Sequence, residues 1–249
     1  MLKSNLEWEK WGEIDPLFGV ASWSNKSKDG KEPWTDEEFY TMGESDWNDF
    51  VKFWEEYGLN NHSCLEIGCG AGRITKSMSN YFKSVEAIDV SKGMIEYAQK
   101  LKLPNVRFSV SNGITIPLND NSIHNVFSCH VFQHFDSLEV AKEIFNEIHR
   151  VLLINGTLMI HLPIFNWPQY PKLFSKIYKL IKIIGQIRAN LKRKLMKFNL
   201  SKPIMRGLYY DYNFIFSALP KIGFKDIRIV IFTVRSNNAI HPFIFARKC

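Results

Sequence analysis

Apolar and polar positions along this chain change period several times, and the changes divide it. Over residues 1–60 aromatic and apolar side chains recur at helical spacing. Thr35-Asp36-Glu37-Glu38 reads as a capped helix start, and residues 46–57 as a helix ended by Gly58. From residue 63 the pattern alternates. Short apolar runs predict strands at 63–67, 84–88, 106–110, 126–129 and 157–162. Amphipathic stretches between them predict helices at 73–81, 92–101 and 138–152.

Strands alternating with helices at this spacing call for parallel βαβ units and a sheet covered on both faces. The end of the chain differs. Residues 224–235 and 242–248 form two strand patterns joined by SNNAIH, a link too short for a crossover helix, so they must pair antiparallel. A helix at 212–221, closed by Gly223, precedes them. The expected fold is α/β: a doubly wound, mostly parallel, seven-stranded Rossmann-like sheet with a C-terminal antiparallel pair and a helical cap or insert.

Composition narrows the setting more than the chemistry. Apolar residues make up 45% and charged residues 23% of 249, as in an ordinary globular protein. The N-terminus carries acids and tryptophans where a signal peptide needs an unbroken apolar stretch, and no apolar run is long enough to span a membrane. Cys64, Cys69, Cys129 and Cys249 show neither CxxC nor paired spacing, and no histidine is spaced to make any of them a metal site. A reduced, cytoplasmic setting is expected, with no metal.

Charge is uneven. The net charge is +7, yet eleven of the 32 Lys and Arg fall between residues 168 and 206, where no acid occurs. Without those eleven, 21 basic residues face 25 acidic ones. The basicity therefore belongs to one segment. Three regions follow: a helical lid segment at 1–60, a core at 61–163 and 207–249, and a basic amphipathic helical insert at 164–206.

Candidate chemistry concentrates at Cys64–Arg73, CLEIGCGAGR, a glycine-rich loop leaving the first predicted strand. In a parallel sheet ligands bind beyond the carboxyl ends of the strands, and glycines admit a ligand where a Cβ would exclude it. Arg73 stands where a dinucleotide fingerprint needs its third glycine, and no Gly-Lys-Ser/Thr marks a phosphate loop. Glu66, just ahead of Gly68, Gly70 and Gly72, repels a pyrophosphate and suits a cationic ligand. Asp89 ends the second strand, where a carboxylate can accept both ribose hydroxyls. A cationic adenosine without phosphate meets both conditions. Alone, such a loop is also compatible with a simple tight turn.

CLEIGCGAGR, VEAIDVSKGM, PLNDNSIHNVFSCHVFQHF and EIHRVLLINGTL, in that order, resemble class I S-adenosylmethionine-dependent methyltransferases over about residues 34–163 and the terminal strand pair. The resemblance implies S-adenosylmethionine as cofactor and S-adenosylhomocysteine as product. Gly68, Cys69 and Gly70 would contact the methionine part through their backbone, with Glu66 beneath the loop near its amino group. Gly72 and Arg73 complete the loop. Asp89 would hold the ribose, Val90 and Met94 would pack on adenine, and Asn112, Gly113 and Ile114 would border its edge. Cys129, His130 and Val131 would line the floor beside the sulfonium. Asn112 stands where the family commonly has Asp, which gives the adenine contact to an amide oxygen. Asn155-Gly156 replaces a Pro-Gly-Gly turn.

The reaction so implied is in-line displacement onto an acceptor, for which the protein supplies alignment and, for a hydroxyl, a base. His134 is the first candidate base or orienting residue, His130 the second and His161 the third; each could instead only hydrogen-bond its surroundings. Trp34, Phe39 and Tyr40 are core residues, parts of a lid, or both. The basic insert has three readings: a solvated helix packed on the domain or across a dimer, contact with an anionic membrane or lipid-like acceptor, or phosphate binding through Lys192, Arg193 and Lys194. Cys129-His130-Val131-Phe132 lacks the Asn/Asp-Pro-Pro-aromatic run that meets a flipped base in similar enzymes. A small-molecule acceptor is expected, oxygen ahead of nitrogen or carbon, in a monomer or homodimer. An RNA methyltransferase and a non-catalytic cofactor-binding scaffold are the alternatives.

Overall fold

The computed structural model describes residues 2–164 and 207–249. Helices α1 (Lys3–Ile14), α2 (Pro16–Val20) and α3 (Asp36–Tyr57) precede strand β1 (Ser63–Ile67). Then follow α4 (Thr75–Tyr81), β2 (Ser84–Asp89), α5 (Lys92–Ala98), β3 (Val106–Val110), β4 (Ile123–Ser128), α6 (Leu138–Val151) and β5 (Leu152–His161). A π-helical turn (Phe214–Ala218) runs into α7 (Leu219–Ile222), followed by β6 (Phe224–Thr233) and β7 (Ile240–Lys248).

The seven strands form one sheet in the order β3-β2-β1-β4-β5-β7-β6. The first five are parallel, and β7 runs antiparallel between β5 and β6. This is the α/β, doubly wound arrangement with a C-terminal antiparallel pair that the sequence pattern predicts. Strand order reverses at β1 and β4, so their carboxyl ends face the crevice where such sheets hold ligands. One face is covered by α6 and the C-terminal helical turn, around Phe145, Ile148, Phe214 and Leu219. The other is covered by α3 and α4, with Trp47, Phe50 and Trp54 packed on Phe127, Phe243 and Phe245.

Three boundaries differ from the sequence reading, each for a local reason. Residues 36–57 are one helix of 22 residues, and Gly43 inside it marks close approach, since a Cβ there would lie 2.0 Å from the Arg73 carbonyl oxygen. Its start is a capping box, with Thr35 accepting from the Glu38 N–H. Strand β4 begins at Ile123 because polar His124 and Asn125 are absorbed by hydrogen bonds to Ser63 Oγ and to the Asn60 and Ser63 carbonyls. Strand β5 begins at Leu152, directly after α6. The register shifts between Ile123 and Asn125 where Asn155 adopts φ 61°, so Asn155-Gly156 makes a bulge within a longer strand.

Among the described residues no helix is long and apolar enough to cross a membrane. The basic insert expected at 164–206 lies outside the described residues except for Ile164, which bridges to Tyr210.

Candidate active site

A cavity of about 350 Å³ opens at the carboxyl ends of β1, β2 and β4, within the ~300–1,000 Å³ range of small-molecule sites. Gly68 and Gly70 form one wall, in left-handed conformation at φ 73° and 53°. A Cβ on Gly68 would sit 2.2 Å from Val131 Cγ2, and one on Gly70 2.5 Å from Val20 Cγ2. Only glycine fits this bend. The Gly68 N–H donates to the Ile88 carbonyl at 2.7 Å, which fixes the loop to β2.

Asp89 stands opposite. Its Oδ2 accepts from the Gly70 N–H at 2.9 Å and its Oδ1 from the Ser91 N–H at 2.9 Å, so one carboxylate joins the glycine loop to the start of α5. Burial raises its pKa, and the backbone donors at Ser91 and Gly70 oppose that rise. Glu66 lies buried beneath the loop rather than in the cavity wall, and takes a 2.5 Å hydrogen bond from Thr75 Oγ1. Burial pushes its carboxyl up to about 7, against the lowering effects of Thr75 and Arg73. Arg73 borders the cavity and forms a buried ion pair with Asp46 of α3.

Of the other residues expected here, Val90, Met94, Gly113, Cys129, His130, Val131 and His134 line the cavity. Cys69 and Gly72 point elsewhere: Cys69 is buried in the core beneath α4, and Gly72 packs on Ala98 and Leu101. Asn112 and Ile114 are exposed, and neither is in the wall. The Asn112 Oδ1 already accepts from the Ile114 and Thr115 N–H groups at 2.9 and 2.8 Å, so this amide oxygen shapes its own turn instead of facing a ligand. Ser111, Thr115 and Ile116 supply that edge of the cavity.

The first sixty residues cover the site through side chains other than those expected. Asn5, Trp8, Val20, Trp23, Met42 and Asp46 border the cavity. Asn5 Nδ2 donates to the Asn112 carbonyl at 2.8 Å, and Trp8 meets the His134 ring edge-on at 4.9 Å. Phe39 and Tyr40 are core residues, Tyr40 donating from its hydroxyl to the Ala71 carbonyl, while the Trp34 indole donates to the Ala21 carbonyl. Ser236 and Asn237, from the β6–β7 link, close the far rim.

Three imidazoles meet at His130. His130 follows β4 at φ 61°, His161 ends β5, and His241 lies on β7. Their ring centroids are 4.4, 4.9 and 5.2 Å apart. Burial, then His241 and Arg73, pushes His130 down to about 3, and burial likewise lowers His161 and His241. A histidine so weakly basic is a poor proton acceptor at neutral pH. The Cys129 thiol is raised by burial and is no ready nucleophile.

Residues 65–160 match the family model described as a methyltransferase domain. The chain carries a methyltransferase domain. Over 153 residues the chain is 31% identical to an uncharacterized methyltransferase-like protein of Schizosaccharomyces pombe, covering 61% of this chain and 54% of that one. It spans about half the length of the curated relatives it matches first. Among solved structures, an S-adenosylmethionine-dependent methyltransferase of Methanosarcina mazei superposes with TM-score 0.56 at 19% identity, over 78% of this chain and 96% of that one. Phosphoethanolamine N-methyltransferase 1 of Haemonchus contortus, solved with phosphoethanolamine and S-adenosylhomocysteine, superposes with TM-score 0.59 at 13% identity, over 99% of this chain and 48% of that one. At such identities the structures speak for the fold. The methyltransferase domain covers β1 to β5, which places the glycine loop, Asp89 and His130 inside it.

Proposed function

We propose that this chain transfers a methyl group from S-adenosylmethionine to a small-molecule acceptor, oxygen ahead of nitrogen or carbon. The observation that carries the reading is the joint between Asp89 and the Gly70 backbone at the cavity wall. It sets a carboxylate against a bend with no room for a side chain, which fits a ribose beside a closely held, phosphate-free nucleoside. When bound, the donor supplies an electrophilic sulfonium methyl. Gly68 and Gly70 offer backbone to its methionine part, Asp89 accepts from the ribose hydroxyls, and Val90 and Met94 pack on adenine. Glu66 lies beneath the loop, on the side of the methionine amino group, where its carboxyl can accept from the loop's neighbours or the donor. His134, beside Trp8 and Gln133, orients the acceptor or takes its proton. Helices α1 and α2 act as a lid that keeps water from the sulfonium.

Calorimetry with S-adenosylmethionine on the wild type and Asp89→Ala tests this. We expect binding by the wild type and a loss of at least tenfold in the variant, as about 1.5–3 kcal/mol for hydrogen bonds to a charged group requires. Equal binding by both, or none by either, refutes the site. Turnover to S-adenosylhomocysteine with hydroxyl and amine acceptor pools separates the acceptor classes, and its absence with every pool would favour the scaffold reading.

A further inference from the structure

His130 of the cavity wall and the two histidines packed against it have a geometry that packing does not explain. They come from three elements, after β4, at the end of β5 and within β7, yet one ring nitrogen from each lies within 4.8 Å of the others. His161 and His241 are 5% and 6% exposed, and the Nδ1 of each is buried without a hydrogen-bond partner. An orphaned buried polar atom costs about 1–3 kcal/mol, and a phenylalanine or leucine would fill either position without it. His130 reaches the cluster only from a left-handed backbone, which no other side chain in that turn adopts. Strain and unpaired nitrogen at one point mark a place built for a ligand.

We propose that His130, His161 and His241 form a binding site for one divalent transition-metal ion of the imidazole-preferring kind, such as zinc, iron or cobalt. Three nitrogens at ~2.1 Å from a tetrahedral ion sit ~3.4 Å apart, so the cluster closes on an ion by small rotations of its rings. Asp46 borders the same cavity, and its Oδ1 is also buried without a partner, while Arg73 engages its Oδ2. That carboxylate offsets part of the charge an ion would bring. Three protein ligands with a position left over are the pattern of a reactive site rather than a closed structural one. His130 is in the cavity wall, so the cluster adjoins the cavity and an ion has a way in. Binding of the ion stands apart from methyl transfer. Its use there rests on the function proposed above: an acceptor hydroxyl filling the open position would be held and made more acidic.

The test uses the full chain, stripped with a chelator and titrated with zinc and with cobalt in the absence of cofactor. The wild type should bind one equivalent, and cobalt should develop visible absorption of a nitrogen-ligated site. His161→Gln and His241→Gln should each weaken binding by about 100-fold or more, beyond the ~10–100-fold typical of losing an outer partner. His62→Gln, an exposed ring stacked on His124, should bind as the wild type does. No stoichiometric binding by the wild type, or unchanged affinity in both cluster variants, overturns the proposal. Should the variants fail to fold, anomalous diffraction from zinc-soaked wild-type crystals decides it: a peak among the three rings supports the site, and its absence there refutes it. Metal binding without S-adenosylmethionine binding, or the reverse, shows which of the two proposals has failed.

Discussion

Replacing Gly68 with alanine tests the central geometric claim, that the bend after β1 must be bare. Gly68 has φ 73°, where an L-residue other than glycine costs about 1–2 kcal/mol. The added methyl would also meet the Val131 side chain, with Cγ2, Cγ1 and Cβ at 2.2, 3.1 and 3.2 Å. Three atoms of one branched side chain stand in the way, so turning its χ1 does not clear the space. Overpacking of that kind costs about 1–3 kcal/mol, for a total near 2–5 kcal/mol. In a domain of this size that lowers the melting temperature by about 4–20 °C. Val131→Ala alone removes two carbons at about 0.8 kcal/mol each, a loss of at most ~1.6 kcal/mol because Val131 is only half-buried. The double variant keeps the strained backbone but relieves the clash. Its destabilisation should fall short of the sum of the singles by about 1–3 kcal/mol. Thermal unfolding of the four proteins, with calorimetric titration of S-adenosylmethionine in parallel, reads both parts. Additive effects within ~0.5 kcal/mol would deny that Val131 occupies the space over Gly68, and a Gly68→Ala protein as stable and as competent to bind as the wild type would refute the reasoning altogether.

Breaking the buried Asp46–Arg73 pair with Asp46→Asn should cost about 3 kcal/mol or more in urea unfolding, whereas Asp46→Leu with Arg73→Met should cost far less; equal losses would show that the charges are not buried as a pair. Acid should destabilise the metal-free protein well above the carboxylate range. His130, His161 and His241 have native pKa values below their unfolded value near 6.5, so the unfolded state binds more protons as pH falls through 6.5. Glu66, raised to about 7, acts in the opposite sense between about 7 and 4.5, so it cancels one of the three histidines and leaves at most two protons of difference below pH 6.5. Stability should therefore decline there by up to ~2.7 kcal/mol per pH unit, and a flat urea midpoint between pH 6.5 and 5 would refute the neutral cluster.

How much of this was legible in the sequence depended on how local each signal is. The strands from β1 to β3 lie within a residue of the predicted bounds, because alternation, a following glycine and a capping serine are all read within ten residues. That the glycine loop and Asp89 would meet beyond the strand ends was legible for the same reason. Asn112 is assigned to the adenine edge by resemblance, which leaves out the local competition for its amide oxygen from the Ile114 and Thr115 N–H groups. Asp46 left a trace that could have been read: with Asp49, it is one of two acids on a buried face that also holds Phe39, Met42, Gly43, Trp47 and Phe50. An acid at that phase of a buried face needs a cation, and Arg73 is the buried arginine nearest the loop.

The histidine cluster had no such trace. His161 and His241 follow His130 by 31 and 111 positions, and no spacing rule joins them. What joins them is topology. Because β7 inserts antiparallel between β5 and β6, His161 stands opposite Phe243, and His241, two residues from Phe243, shares its face of the sheet. The reversal that ends the parallel sheet carries a histidine from the end of the chain to the carboxyl edge of β4, where the strand order also reverses. A purely parallel arrangement would have sent residue 241 to the opposite edge. The antiparallel pair therefore does more than complete the sheet: it places a third nitrogen beside a cavity built by the other strands.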